Sequence, residues 1–534
     1  MTRIILALGT AAALLASGTA EAQSDRRTTI SPYIELSQVL DADLKGGDVV
    51  TYSEVAVGID AATKTPRVQA QISYRYERRI GEGHNIGDAD VNTGLARIDA
   101  KIAPGLSLDA GGLATRSRND IRGAAPGVLT GNVDNISQVY TVYGGPSYRG
   151  HAGAVALSAD YGIGYTKVTT PTTGTGTPGQ RLDYYDHSLG QTASVGASVA
   201  PGAMLPVGVS VGAGYQREDG AQLDQRFEGY HARGDVLAPV AATVALTAGV
   251  GYEKIEVSQK DALLTAAGVP VQDGDGRFVT DPTSPRRVAY RTDGVYYDAG
   301  VVWHPNHRTS VEAHVGRRYG STSYTGTATY QASKSVGLAV NVYDTVETFG
   351  QQLRQGVANL PTSFVDSRDQ FGQQFNGCVF GTSGAAPGGC LNSALQSIST
   401  ASFRARGVDA VLSAKRGLST YGFAVGYTNR ELYAPNVPSG VVVYGEEDQS
   451  YYGQLFYGHA LSRVSGINAN AFLNYYTSDL PGSASTISYG ATAAYYHYFG
   501  RLGTTASLGV YNAKTEGQPS EPSLQALLGA RYQF

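Results

Sequence analysis

Long hydrophobic runs are missing from the sequence beyond its first residues. The apolar stretch from Ile4 to Ala16 is too short to cross about 30 Å of hydrocarbon as a helix. No later run reaches the length of about 18 apolar residues that a membrane-spanning helix needs. The composition therefore excludes a helical membrane protein.

Charge is also scarce, and neither sign dominates. Asp, Glu, Lys and Arg make up 16% of the chain, the formal net charge is −4, and the sequence pI is about 6.2. Domains that bind nucleic acid have a concentrated basic surface and a pI above about 9. We therefore expect no nucleic-acid partner.

The amino terminus has the three parts of a secretory signal peptide. Arg3 precedes the apolar run, and Ala20–Ala22 follows it as a small-residue cleavage box. We predict a signal peptide over residues 1–22, a mature chain that starts at Gln23, and a short lead over residues 23–30. Because no cysteine follows the box, lipid attachment at that point is excluded.

Glycine and tyrosine, by contrast, are abundant. The 534 residues include 68 Gly, whereas average glycine usage is about 7%. The chain has 36 Tyr but only 13 Phe. Membrane β-barrels use small residues where strands curve, and they use tyrosine where a ring lies at the boundary between water and lipid. This composition favours an outer-membrane β-barrel.

Two-residue alternation supports a barrel. In the segment from Val68 to Arg79, apolar and aromatic residues occupy one face and charged residues the other. A charge that faces lipid at mid-depth costs about 2–4 kcal/mol for Arg or Lys, so charged faces should line the lumen. We predict eight lumen-facing residues, which form either a track for sugars or polyanions or simply a solvated, ion-paired wall: Arg75, Glu77, Arg79, Glu312, His314, Arg318, Arg404 and Arg406.

The spacing between strands gives the strand number. One set of connections is uniformly short, and the connections between them vary up to about fifty residues, the longest from Gly350 to Thr400. Short periplasmic turns and long extracellular loops are typical of outer-membrane barrels. Counting hairpins predicts an all-β, antiparallel transmembrane barrel over residues 31–534, with about 22 strands and a range of 18–24.

The last strand carries a signal for membrane insertion. Counting back from Phe534, Tyr532 and every second residue to Leu524 share one apolar face, and polar residues alternate with them. A terminal aromatic residue on such a strand resembles the signal that barrel-assembly machinery recognises in its clients. We therefore predict Tyr532 and Phe534 as the assembly signal, and outer-membrane lipid and the assembly machinery as partners.

A barrel of this width needs something to narrow it. The 22-stranded TonB-dependent transporters carry an amino-terminal plug domain, but here the first predicted strand starts within about ten residues of Gln23. We expect inward-folding loops instead, chiefly Gly350–Thr400 and Ser258–Gly294. Cys378 and Cys390 lie in the first of these and should form a disulfide. The bond either stiffens an extracellular cap or recognition tip, or only protects a long loop.

The sequence offers no catalytic, cofactor or metal signature. Gly208–Gly212 matches the string of a nucleophile elbow, but that motif needs a turn from a strand into a helix, and these residues lie within a two-period strand. Asp273–Gly276 begins like a calcium loop, yet Arg277 and Ser284 occupy positions where an EF-hand needs ligands. We predict a protein that is not an enzyme and has no cofactor.

Several turn and loop elements resemble a known family. The resemblance to the outer-membrane proteins of the PEP-CTERM and exosortase exopolysaccharide system is carried by Trp303–Glu312, Gly316–Gly320, Gly377–Gly381, Cys390, Leu395–Ile398 and Phe403–Gly407. It implies an outer-membrane location and a role in exopolysaccharide export. The leading hypothesis is thus an export conduit or accessory with a polysaccharide as its cargo. The alternatives are a structural or surface-recognition barrel without transport and, less favoured, a barrel enzyme.

Overall fold

The computed structural model describes most of the chain after the predicted signal peptide. The described residues are 28–47, 49–82, 89–118, 136–169, 185–274, 277–365, 371, 377–395, 398–433, 447–479 and 484–534. The predicted signal peptide lies outside them, as does most of the predicted lead. Within these ranges, no helix has both the length and the apolar character to span a bilayer.

Antiparallel strands make up almost all of the structure. In chain order they are β1 (Thr28–Asp43), β2 (Val49–Lys64), β3 (Val68–Glu82), β4 (Ala89–Ala103), β5 (Leu106–Arg118), β6 (Ile136–Ala152), β7 (Val155–Thr169), β8 (His187–Val199), β9 (Gly208–Gly220), β10 (Arg226–Ala241), β11 (Val244–Gln259), β12 (Arg287–Asn306), β13 (Thr309–Arg318), β14 (Ser321–Ser333), β15 (Val336–Glu347), β16 (Cys378–Ser383), β17 (Ala386–Cys390), β18 (Ser402–Arg416), β19 (Ser419–Tyr433), β20 (Glu447–Ala460), β21 (Ser465–Ser478), β22 (Thr486–Phe499), β23 (Leu502–Thr515) and β24 (Glu521–Gln533).

All strands except β16 and β17 form one sheet of 22 strands. Each strand pairs with its neighbours in sequence, β15 pairs directly with β18, and β1 pairs with β24 from Tyr33↔Gln533 to Asp43↔Ser523. This last pairing closes the sheet into a ring and leaves no free edge. The predicted barrel and its strand number are confirmed.

Residues alternate between the two faces of the wall, as the sequence predicts. On β1, Ile34 and Leu36 are 46% and 60% exposed, whereas Glu35 and Val39 between and beyond them are buried. On β24, Leu528 is 70% exposed and Leu527 is 2% exposed. The outer face is therefore apolar and suited to lipid, and the inner face is where polar groups are gathered.

The two ends of the barrel differ. At one end the strands join through short turns, in which Gly105 and Gly500 adopt φ angles of 76° and 65° that favour glycine. The other end carries the longer connections, including 260–286 between β11 and β12. β1 begins and β24 finishes at the short-turn end. By the pattern of outer-membrane barrels, this end is periplasmic and the other extracellular.

Candidate functional site

The connection from β15 to β18, residues 348–401, enters the barrel and is named here the lumen segment. It begins with helix α1 (Phe349–Ala358), continues through the β16–β17 hairpin and includes the short helix α2 (Asn392–Leu395). Thr348 caps α1, because its side chain accepts from the Gln351 amide while the Gln351 side chain accepts from the Thr348 amide. This capping box fixes where the helix starts.

The lumen segment runs the full depth of the barrel. It leaves the wall at Thr348, at the extracellular end. Phe364 is bonded to the Gln71 side chain, with its amide donating to Oε1 at 2.9 Å. Farther on, the Gly384 amide donates to the carbonyl of Lys334, in the periplasmic turn between β14 and β15, at 2.9 Å. The tip of the β16–β17 hairpin therefore reaches the periplasmic rim.

The same segment touches opposite sides of the ring. Arg97 on β4 donates to the carbonyls of Leu360 and Ala358 at 3.0 and 2.8 Å. Across the barrel, Gln454 on β20 accepts from the Cys378 amide at 2.9 Å. A single stretch of chain can bond to facing walls only if it lies between them. The lumen segment therefore occupies the lumen.

Three apolar clusters hold the segment against the wall. Leu353, Val357 and Leu360 pack with Leu95, Leu113, Val139, Phe403 and Ala405; Phe371 packs with Val39, Tyr52, Tyr511 and Leu527; Phe380 packs with Val411, Ala424, Tyr452 and Phe456. Glycines on the wall make room for the rings. A Cβ at Gly422 would lie 2.6 Å from the Phe380 ring, and one at Gly509 would lie 2.8 Å from Phe371.

A disulfide joins Cys378 to Cys390 in the structure, at the base of the β16–β17 hairpin. Cys378 is 2% exposed and packs in the Phe380 cluster. The bond therefore lies in the lumen, enclosed by the wall of the barrel. An exposed cap or recognition tip, one of the interpretations of the sequence, does not fit this position.

Arg75, Glu77 and Arg79 lie on the inner face of β3, in a buried network of charges. Arg75 contacts Glu35 and Glu77 at 3.0 Å each, and Arg79 contacts Glu77 at 2.5 Å. Arg79 also donates to the carbonyl of Phe371 in the lumen segment at 2.9 Å. The network is thus an ion-paired part of the wall, and the lumen segment contacts it. This arrangement matches the interpretation of these residues as a paired wall. The two arginines of β3 are already bonded to carboxylates, so they do not form an open cationic track.

Glu312, His314 and Arg318 lie on the inner face of β13. His314 bridges two carboxylates, with Nδ1 3.0 Å from Asp298 and Nε2 2.8 Å from Glu312. Arg318 pairs with Glu253 at 2.8 Å. Glu312 and His314 line a cavity of about 880 Å³ along the periplasmic ends of β6 to β14.

Arg404 and Arg406 lie near the extracellular end of β18, and their assignment to the lumen stays a prediction. Their neighbours Phe403 and Ala405 are fully buried and pack against the lumen segment. Adjacent residues of a strand point to opposite faces, so Arg404 and Arg406 share the other face of β18. Arg404 pairs there with Asp344 at 2.6 Å, and Arg406 lies 3.8 Å from Glu447. Arg404 is only 3% exposed and donates to the Ser321 hydroxyl at 2.6 Å, so it is enclosed by protein and does not face lipid.

Tyr532 and Phe534 lie on the lipid-facing side of the closing strand. Their rings are 5.2 Å apart and edge-on, and Phe534 is 61% exposed. Its amide donates to the Pro32 carbonyl at 3.1 Å, which ties the end of the chain to β1. Their role in recognition by the assembly machinery stays a prediction.

The sequence analysis did not identify the groups that fasten the lumen segment. Arg97, Glu218, Arg354 and Arg430 all bond between segment and wall. One signal was present in the sequence: Thr348 and Gln351 have the spacing of a capping box ahead of a helix. Among the described residues, no group of three or more His, Cys, Asp and Glu side chains is placed to hold a metal ion.

No protein-family model matches the chain, and no curated protein sequence matches it. Solved structures with a similar fold include the FrpB iron transporter from Neisseria meningitidis, F5-1 variant (TM-score 0.44, 10% identity, 94% of this chain and 82% of that one), the ferric-catecholate import receptor Fiu from E. coli K12 in its open form (0.42, 11%, 97% and 82%) and the siderophore receptor PirA from Acinetobacter baumannii (0.41, 9%, 97% and 81%). At such identities the likeness shows the fold alone. The chain is a β-barrel of the cell outer membrane.

The predicted role as a conduit or accessory for exopolysaccharide export is wrong. A polymer would need a bore that the lumen segment fills, because this segment bonds to facing walls of the barrel. A structural or surface-recognition barrel is not favoured either. No finding concerns polysaccharide as a partner, or the resemblance to the PEP-CTERM-associated family, which stays a prediction.

Proposed function

We propose that the chain is a gated uptake channel of the outer membrane for small hydrophilic solutes, with the lumen segment as its gate. The observation that carries the proposal is the way the segment is attached. Both of its ends, Thr348 and Ala401, join the wall at the extracellular rim, and β15 and β18 pair directly with each other behind it. The segment can therefore leave the lumen without breaking any strand pairing.

The chemistry of the contacts suits a reversible closure. Wall side chains such as Arg97 and Arg79 donate to main-chain carbonyls of the segment. When the segment withdraws, these donors and acceptors can bond to water, so the open state leaves few polar groups unsatisfied. The apolar clusters favour the closed state, because opening would expose them to a wet lumen.

The cavity sets the size and type of solute. Its volume of about 880 Å³ is in the range of pockets that hold small molecules. Arg233, Asp235, Asp298 and Glu312 are among its lining residues, so the lining is polar and carries both signs of charge. The cavity lies on the periplasmic side, where a solute that has passed the gate would arrive. Net flux of a consumed nutrient would then be inward, along its gradient.

The experiment that tests this proposal removes the gate. Deleting Gln352 to Ser397 and rejoining the chain should raise single-channel conductance in planar bilayers several-fold, and should speed the swelling of liposomes in arabinose. The control deletes Leu263 to Val279 from the extracellular connection between β11 and β12, whose ends are held together by the Ala262↔Thr280 bridge. That variant should conduct like the parent. If the gate deletion inserts as a heat-modifiable barrel and conducts no more than the parent, the gate is elsewhere and the proposal fails.

A further inference from the structure

The charged residue Arg354 on α1 occupies a matching groove in the wall. Within the described part of the lumen segment, residues 348–365, 371, 377–395 and 398–401, it is the only charged side chain. It is 8% exposed, and its guanidinium is bonded to Glu218 on β9, which is 3% exposed. Nη1 also lies 3.4 Å from the Thr166 hydroxyl on β7.

The groove is built from three residues in one row across adjacent strands. Gly164 on β7 pairs in register with Gly190 on β8, and Gly190 pairs in register with Glu218 on β9. Strands lie about 4.8 Å apart, so this row spans about 10 Å across the wall, enough for an extended Arg side chain. The Arg354 side chain lies along the two glycines and ends at the carboxylate.

The glycines are required for this fit. A Cβ built at Gly190 would overlap the Arg354 guanidinium, and one at Gly164 would overlap its Cδ. Gly350, on the first turn of α1, has the same role on the helix side, because a Cβ there would lie 2.5 Å from the Ser188 hydroxyl and 2.6 Å from Glu218. Helix and wall thus approach closely around the ion pair, and a small cavity of about 110 Å³ adjoins Arg354.

We propose that Arg354 and Glu218 form the latch of the gate, so that separating this pair is the step that lets α1 leave the wall. The inference rests on the proposed function, and it names the positioning residue that keeps the channel closed. α1 follows directly from the attachment at Thr348, so it must detach before the rest of the lumen segment can withdraw toward the extracellular side. An ion pair suits this position, because both charges are solvated in the open lumen whereas an apolar contact would leave apolar surface in water.

Three substitutions break the latch in different ways. Arg354→Met leaves Glu218 buried without its partner, Glu218→Gln does the same to Arg354, and Gly190→Ala displaces the guanidinium while both charges stay. Removing one member of a buried pair is strongly unfavourable, so each variant should raise the open-to-closed ratio in planar bilayers on the order of a hundredfold. The matched control is Gly212→Ala on the inner face of β9, where a Cβ would have only one neighbour, the Val195 carbonyl, at 3.4 Å. It should gate like the parent.

A double variant separates a latch from a general packing role. Arg354→Met with Glu218→Leu leaves no buried charge unpaired, so its open-to-closed ratio should lie closer to the parent than that of either single variant at these two positions. Additive effects in this cycle, or single variants that gate like the parent, would overturn the latch. Heat-modifiable migration on gels checks that each barrel is folded. If a charge variant does not fold, Gly190→Ala decides.

The outcomes also separate the latch from the gate itself. If deleting Gln352 to Ser397 raises conductance while Arg354→Met and Gly190→Ala do not, the segment is a gate without this latch. If the deletion has no effect, the proposed function fails together with the latch.

Discussion

The wall and the lumen segment are held together by different kinds of interaction. Each wall strand pairs with its sequence neighbours, through ladders such as those from Thr28↔Thr63 to Ala42↔Val49 between β1 and β2. The described residues of the lumen segment make little sheet of their own, namely the short β16–β17 ladder and the bridge Phe364↔Gly381. The segment is held in the barrel by wall residues that are far away in sequence, such as Arg97 with Leu360. We therefore expect the wall to fold without the segment, whereas the segment needs the wall to hold its conformation.

The interior shows a second contrast, between a filled side and an open side. Inner-face residues that hold the lumen segment come from β1 to β9, from β18 to β21, and from β23 and β24. Along β10 to β14, polar residues such as Asp298 and His314 face the cavity instead. The lumen segment therefore fills one side of the interior, and the cavity that a solute would enter lies on the other side.

The largest effect expected from a single substitution in the segment is at Phe371. Its ring is fully buried among residues from β1, β2, β23 and β24, and replacing a buried Phe by Ala typically costs about 3–5 kcal/mol. Because this cost falls on docking of the segment, Phe371→Ala should raise the frequency of channel openings many-fold and leave assembly of the barrel unchanged. Single-channel recording and heat-modifiable migration measure the two effects.

Leu264→Ala, in the extracellular connection between β11 and β12, is the control for Phe371→Ala, because Leu264 is 46% exposed. Loss of the folded barrel in Phe371→Ala would show that wall and segment form one cooperative unit, contrary to the comparison above.

The contrast between the wall and the lumen segment also explains how much of the structure could be predicted from the sequence. Alternation is a local property, so strand number, closure of the ring and the inner faces of β3 and β13 could be read from residues such as Arg75 and Glu312. On β18 the rule does not separate the two faces, because Arg404 is buried as well as Phe403 and Ala405. Phe403 and Ala405 are apolar yet point inward, because they pack on the lumen segment, and the rule that inward residues are polar holds only where the lumen is wet.

The groove that receives Arg354 shows why the site itself was not predicted. Gly164, Gly190 and Glu218 come together only through the register of three strands. In a chain with 68 glycines, neither glycine differs from the others by any local pattern. The path of residues 348–401 into the lumen is set by such long-range contacts, which no periodicity records.

The next largest effect should come from a charge placed on the wall's outer face. Leu528 is 70% exposed near the middle of β24, and Arg at mid-depth in the lipid costs about 2–4 kcal/mol. Leu528→Arg should therefore lower the free energy of unfolding in urea by about that amount and should not raise conductance beyond the loss of folded protein. Thr325→Arg, which faces the cavity, is its control and should leave stability near that of the parent. Equal destabilisation by both would contradict the assignment of faces.

The smallest effect is expected at the disulfide, although it lies inside the gate. Cys378 and Cys390 are direct partners across the β16–β17 ladder, and Phe380 in the same hairpin is fully buried against the wall. The bond therefore restrains a hairpin that the ladder and the Phe380 cluster already hold. Replacing both cysteines by serine should change the open-to-closed ratio far less than the latch variants do. Because both sulfurs are held in the disulfide, neither cysteine should react with an alkylating reagent in intact cells, and both should react after the protein is denatured and reduced. Labelling of both cysteines in intact oxidised cells would show that the disulfide is not formed there, and the hairpin would then be held by its ladder and the Phe380 cluster alone.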